Sequence, residues 1–222
     1  MTRAALLADL LRRVPVSPAA RREVRRRMGA PARRYHGLSH IAELWARHRR
    51  LGRGTPFRAP GVETLLASAI AYHDAIYDVR RGGSEAASAA LWRAPARAPP
   101  RLPPAAIEWV AGTIEVTADH LGAPEGPRTP LGRARLWMLD LDLTPLAAPP
   151  PRFARNTRDL RAEYGHLTAA QWDAGRAAFL RRLAAQPRLF RTPRIAARYE
   201  ARARANIAAA LAAEAGKGSA PA

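Results

Sequence analysis

Ala69-Ile70-Ala71-Tyr72-His73-Asp74-Ala75-Ile76-Tyr77-Asp78 is an apolar helical run with an adjacent histidine and aspartate set into it. Leu66, Ile70, His73 and Tyr77 recur at i, i+4, i+7 and i+11, which predicts a helix whose core-facing stripe includes His73. A neutral imidazole is tolerated on such a stripe. Asp74 beside it is harder to accommodate, because a buried carboxylate is costly unless a cation or strong donors hold it. A nitrogen and an oxygen donor at the inner end of a helix suit a metal ion, provided other segments bring further ligands. One His-Asp pair alone is commonplace, so its meaning depends on the remainder of the chain.

Outward from this run, nearly every segment reads as helix. Alanine, leucine and arginine dominate, β-branched residues are few, and alternating strand patterns are absent. Residues 2–14 are amphipathic on Leu6, Leu7, Leu10 and Leu11 and stop before Pro15. Ser17 and Pro18 read as the cap and first position of a basic helix to about Met28, ended by Gly29 and Pro31. A helix then runs to about Arg50, a loop spans Gly52 to Pro60, and the central helix is predicted from Gly61 to Asp78. Ser84 is predicted to cap a short helix containing Glu85, Leu91 and Trp92, and Ala94 to Pro104 reads as a proline-rich surface connection. Pro104 opens a helix with the stripe Ile107, Val110, Ile114, Thr117 and Leu121; Thr129-Pro130 opens the next. Three more helices follow Pro149-Pro150-Pro151, at about 152–165, 169–185 behind Thr168, and 193–214. There is no internal repeat and no change of composition. The expectation is one all-α domain of about nine helices over residues 1–215, with a polar, frayed tail from Gly216 to Ala222.

The polar residues set into these helices are the candidates for chemistry. His36 and His40 are four apart, which within one helical turn puts them on one face. His48 lies among arginines and reads as solvated. Glu85 reads as a first-turn surface carboxylate that follows the His-Asp helix closely. Thr113, Thr117 and His120 form a polar line beside an apolar stripe. Asp140 and Asp142 stand among Leu136, Trp137, Leu139, Leu141 and Leu143, where desolvation raises a carboxyl pKa unless a cation or donors hold the charge. Periodicity does not separate the two aspartates.

With no cysteine, any metal must be held by His, Asp and Glu. The formal charge of +19 invites a nucleic-acid reading, but of 37 basic residues only Lys217 is a lysine, and the abundance of Arg, Ala and Pro looks like the codon bias of a GC-rich genome. Arg21-Arg22 with Arg25-Arg26-Arg27 is the one dense cluster. Spread charge attracts anions, phosphate-bearing substrates included, yet supplies no groove-reading element. Zinc-finger spacing, basic-zipper heptads and an aromatic strand platform are all missing. Nucleic acid is thus kept as a substrate option and disfavoured as a structural partner. Residues 1–14 carry Asp9, Arg12 and Arg13 without an uninterrupted apolar run, so neither a signal peptide nor a spanning helix is read. The expectation is a cytoplasmic chain without a membrane partner.

In order along the chain, His … His-Asp … Asp resembles the HD superfamily of metal-dependent phosphohydrolases. Tyr35-His36-x-x-x-His40 followed by His73-Asp74 is similar to the cyclic-nucleotide phosphodiesterase branch, and Asp142-Leu143-Thr144 resembles the segment carrying that branch's final aspartate. A closer resemblance is to a bacterial family of uncharacterised predicted HD phosphohydrolases. It rests on Tyr35 to Ile41, His73 to Asp78, Glu85 with Ser88-Ala89, Thr117 to His120, and Asp140 to Leu143. Arg161-x-Glu163-Tyr164 and Ala203-Arg204-x-Asn206 also resemble that family, so that about residues 30–210 are covered.

The resemblance implies an HD-like helical bundle that hydrolyses a phosphomonoester or phosphodiester of a nucleotide or other small phosphorylated metabolite. It implies one or two divalent ions (Mn, Fe, Mg, Ni, Co or Zn) on His40, His73, Asp74 and Asp142, with Asp140 the alternate last ligand and Asp74 able to bridge. His36 and Asp74 are the implied catalytic residues, His36 as proton donor to the leaving group. Glu85 and His120 would orient a second metal, a water or the substrate. Gly37 and Ser84 depart from the family pattern, which has a polar residue at the first position and an acidic residue or Asn at the second. Two other readings stand beside this one. A di-iron oxygenase on the same scaffold draws on His120 and Glu85. A non-catalytic basic helical protein would bind nucleic acid or an acidic partner, but it has no need of carboxylates in apolar helices.

Overall fold

The computed structural model describes residues 1–98, 102–122 and 129–218. Among these residues the chain is all-α, without strands. The helices are α1 (Arg3–Arg13), α2 (Pro18–Met28), α3 (Leu38–Leu51), α4 (Pro60–Tyr72), α5 (Ser84–Ala96), α6 (Pro104–Glu115), α7 (Pro130–Leu143), α8 (Pro150–Glu163), α9 (Ala169–Ala184) and α10 (Pro193–Gly218). Single 3-10 turns occupy Pro56–Arg58, Val116–Asp119 and Thr144–Ala147. Residues 216–218, expected in a frayed tail, continue α10, and residues 219–222 lie outside the described residues, as do 99–101 of the proline-rich connection. Among the described residues no helix is long and apolar enough to cross a membrane.

Side-chain caps fix four of the helix starts among the described residues. Thr2, Ser17, Thr129 and Thr168 each accept a first-turn backbone N–H, and Thr168 forms a reciprocal capping box with Gln171. Ser84 does not cap α5. Gly83 takes that position at φ 69°, and the Ser84 hydroxyl accepts the N–H of Asp78 instead.

α4 is the hub. Every residue from Leu65 to Tyr72 is buried, as expected of a helix apolar on all sides. Its small residues Ala67, Ser68, Ala69 and Ala71 let α1, α3, α5, α6 and α7 approach from around it. One apolar cluster extends from Leu7 to Ile207, with Trp45, Trp92, Trp137 and Phe190 as its largest fully buried side chains besides Tyr72.

His48 corrects the expectation of a solvated histidine: it is fully buried. Trp137 Nε1 donates to His48 Nδ1 at 3.1 Å, so the ring proton sits on Nε2, which faces Glu63 Oε1 at 3.3 Å. Glu63 also pairs with Arg13 at 2.6 Å and with Arg58. Burial alone would raise the Glu63 carboxyl, but His48, Arg13 and Arg58 hold it below the ordinary glutamate range. A carboxyl lowered by folding stabilises the fold at neutral pH and loses that contribution as pH falls through its folded value. Glu63→Gln is therefore expected to cost about 2–3 kcal/mol at pH 7, roughly 5–10 °C in Tm for a chain of this size. The gap between variant and wild type should close on acidification, which thermal melts across an acid pH series would measure.

Candidate metal centre

The central helix stops six residues before its predicted end. After Tyr72 the chain leaves helical geometry, and partners outside α4 take up its backbone groups. The guanidinium of Arg33 donates to the carbonyls of Asp74 and Ala75 (3.0 Å for Ala75), and Ser88 Oγ accepts the N–H of Ile76 and donates to its carbonyl. A cation on C-terminal carbonyls is a favourable helix stop. Its result is to present His73 and Asp74 at the inner end of the most buried helix.

Three other segments converge there. α3 starts at Leu38, so His36 lies before it and does not share a helical face with His40 as predicted. Gly37 separates the two: a Cβ there would stand 3.0 Å from the Arg33 carbonyl and 3.1 Å from that of Met28, so any side chain would require the backbone around it to give by a few tenths of an ångström. α7 supplies Asp142. Asp140, two residues earlier, is about 200° away around the helix and faces α10. Its carboxylate accepts from the N–H groups of Arg191 and Thr192 and from Thr192 Oγ1 at 2.5 Å. Asp140 is consequently not an alternate ligand. It pins the entry to α10, even though burial pushes its carboxyl up against these donors. Asp140→Ala is expected to destabilise the chain by about 2 kcal/mol while leaving metal content at the wild-type level, measured by thermal melts beside elemental analysis.

The ligand atoms of His40, His73 and Asp74 lie within 4.8 Å of one another. His40 Nε2 stands 3.3 Å from His73 Nε2 and 2.9 Å from Asp142 Oδ1; His73 Nε2 stands 3.0 Å from Asp74 Oδ2 and 3.5 Å from Asp142 Oδ1. Donors bound at about 2.1 Å to one ion are roughly 3.0 Å apart when cis in an octahedron, so these spacings match the edges of a coordination polyhedron. His73 Nδ1 donates to the Ile70 carbonyl at 3.1 Å, which leaves Nε2 with its lone pair directed at the other three groups. Asp74 Oδ2 is buried and receives no hydrogen bond. Buried acceptors facing acceptors require positive charge between them. Without metal, that charge comes from protons. Burial alone would lower the His73 pKa, yet Asp74 and Asp142 raise it well above the ordinary range. Burial would raise both carboxyls, but His73 foremost, with His36 and His40 at Asp74 and His120 and His40 at Asp142, holds them low. The donor set fits a divalent cation of the first transition row or magnesium, in place of those protons.

His120 joins the cluster through Asp142, its Nε2 lying 2.8 Å from Oδ2. It stands where α6 tightens into the turn Val116–Asp119, and Arg191 holds its backbone carbonyl at 2.9 Å. Thr117 lines the cleft beside it, whereas Thr113 bonds to the Trp109 carbonyl away from the cleft. Glu85 is half-buried on the cleft wall.

The residue that sequence reasoning left without a role is Glu163, the last of α8. One of its oxygens accepts the N–H groups of Tyr35 and His36 at 2.7 and 2.9 Å, and the other meets His36 Nδ1 at 2.7 Å. The His36 ring also stacks on Tyr77 at 4.3 Å between centroids. Burial pulls the His36 pKa down, but Asp74 and Glu163 outweigh it and raise it. His36 thus has Nδ1 committed to Glu163 and Nε2 left to the cleft, with its charged form favoured by Asp74 and Glu163. The cleft encloses about 490 Å³ and is lined by Tyr35, His36, His40, Asp74, His120 and Asp142 on one side and by α8 and α9 on the other.

Comparison with protein-family models, curated proteins and solved structures finds no match.

Proposed function

We propose that this chain is a metal-dependent phosphohydrolase of the HD type, acting on a small phosphate ester. One observation carries the reading: His40, His73, Asp74 and Asp142, from three separate segments, bring four ligand atoms together beside a histidine whose proton is held by a buried glutamate. A divalent cation at that centre supplies a lowered pKa for water and neutralises charge on the phosphoryl oxygens. The chain supplies the rest. His40, His73, Asp74 and Asp142 hold the ion, with Asp142 shared with His120. The oxygen of water adds to phosphorus as the P–O bond to the organic group breaks. His36 Nε2 delivers its proton to the departing oxygen, and Glu163 stabilises the ring while it is charged and fixes its orientation. A monoester gives alcohol and inorganic phosphate, a diester gives alcohol and a phosphomonoester, and the proton released by the water replaces the one His36 gave up.

The contact between His120 and Asp142, with Glu85 on the same wall, favours donors for a second ion and keeps one further reading, a di-iron oxygenase. Iron content together with substrate-dependent oxygen uptake would support that alternative.

The test loads metal-free protein with Mn, Co, Ni, Mg or Zn and screens phosphomonoesters and phosphodiesters. The expected result is hydrolysis that appears with metal and disappears with chelator. Metal-loaded protein that cleaves neither ester class above the metal-free control overturns the reading.

A further inference from the structure

We infer that the organic group of the substrate is apolar, and that α9 is the element that selects it. This inference rests on the phosphohydrolase reading for the reaction and on separate observations for the substrate. α9 carries two stripes. Ala177, Leu180 and Leu183 are buried and attach the helix to the core. Trp172, Arg176 and Phe179 recur at i, i+4 and i+7 on another face and line the cleft, with Phe179 44% exposed. The second stripe does not serve folding in the way the first does. Leu143, Leu146, Leu160 and Leu167 also line the cleft and extend its apolar surface.

Gly175 lies on that surface in the interior of α9. Glycine is a poor helix former, and packing does not demand it, since a Cβ at Gly175 would have no neighbour within 4 Å. What its missing side chain leaves is open space beside Trp172 and Phe179. The cleft volume of about 490 Å³ falls within the usual small-molecule range of roughly 300–1,000 Å³.

Charge narrows the class further. In a chain of formal charge +19, Arg176 is the one arginine lining this cleft among the described residues. Its guanidinium is already engaged, donating to Thr157 Oγ1 at 3.1 Å and lying over the Phe153 ring. The arginines Arg3, Arg34, Arg152 and Arg155 line an adjoining cavity that shares Tyr35, His40 and Pro145 with the cleft, away from the α9 wall. A di- or triphosphate needs several cations along its length, and this wall does not provide them. A nucleobase has hydrogen-bonding edges, for which leucines offer no partners, and Gln171, the amide on this wall, is already engaged in the capping box with Thr168. A single phosphate ester of an alkyl or aryl group fits best: its phosphate goes to the metal-binding side and its apolar body to Trp172, Gly175 and Phe179.

The experiment compares kcat/KM of the metal-loaded protein for methyl, benzyl and 1-naphthylmethyl phosphate, whose alcohol leaving groups are matched in basicity, and for AMP and ATP. The expected result is a rise of about tenfold or more from methyl to naphthylmethyl, with both nucleotides below naphthylmethyl. Gly175→Leu, which places a better helix former into open space, should lower the naphthylmethyl-to-methyl ratio about tenfold, and Phe179→Ala should lower it about threefold. Rates independent of apolar size, a preference for either nucleotide, or a ratio unmoved in both variants overturns the inference. If no ester is cleaved, the reaction reading fails by itself and binding still decides this one. Calorimetric titration of the Mn-loaded protein with naphthylmethylphosphonate and methylphosphonate should show about tenfold tighter binding of the first; equal affinities overturn the inference.

Discussion

Asp74→Ala is expected to remove the metal. Wild-type protein loaded with manganese or cobalt and passed through a desalting column should retain one or two equivalents, and the variant should retain essentially none. Loss of an outer partner of a metal ligand typically costs 10–100-fold in affinity, so loss of a direct ligand with a buried, otherwise unpartnered oxygen should cost at least about 100-fold. Stability is linked to the same site. Metal at about 100 times its Kd adds about 2.7 kcal/mol to the wild-type fold, some 5–10 °C in Tm, and adds little to the variant. A purely structural His–Asp cluster gives the opposite pattern: the variant melts early without metal, and metal shifts neither melt. Elemental analysis beside melts with and without metal separates the two.

His36→Gln is expected to lower kcat by about 10²–10⁴ with metal content unchanged, because His36 is not among the ligand atoms that converge on His73. Glu163→Gln should cost less, about 10–100-fold, since the imidazole remains but its charged form loses a carboxylate 2.7 Å away. The pH profile identifies the role. The folded His36 pKa is raised by Asp74 and Glu163, and an acid must be protonated to work, so activity should fall as pH rises through that value. Removing the Glu163 charge lowers it and moves the basic limb of the kcat profile to lower pH. The double variant should be little worse than His36→Gln alone, because Glu163 acts through His36. A Glu163 that merely ties α8 to the loop before α3 would reduce stability and leave the limb where it was.

Much of the site was legible because it is written as local pattern. His73 on an apolar stripe, Asp74 beside it and aspartates inside the apolar run Leu136–Leu143 are anomalies that burial makes costly, and anomalies of that kind can be read without coordinates. The anomaly does not say what relieves it. Asp140 and Asp142 share one composition and one helix. They part company only because about 200° of rotation turns one to the start of α10 and the other to His40 and His120. His48 misleads for a related reason. Its arginine-rich neighbours place it on a surface helix, yet Trp137 and Glu63 reach it from 89 and 15 residues away. Glu163 stands in the Arg161-x-Glu163-Tyr164 stretch noted in the sequence, but nothing local assigns it a role, since an acidic residue near the end of a helix is ordinary; its contact with His36, 127 residues earlier, does so.

The sequence by itself determined the all-α class, several helix starts through their capping residues, and the residue types able to hold a metal, because helix propensity, capping and the cost of buried charge act over a few residues. Only the tertiary structure decided where α4 ends, which aspartate faces the centre, and that Glu163 holds His36. Each of these depends on a partner far along the chain, Arg33 for the end of α4, Thr192 for Asp140 and α8 for His36, and the register between distant helices is set by the packing of the whole core.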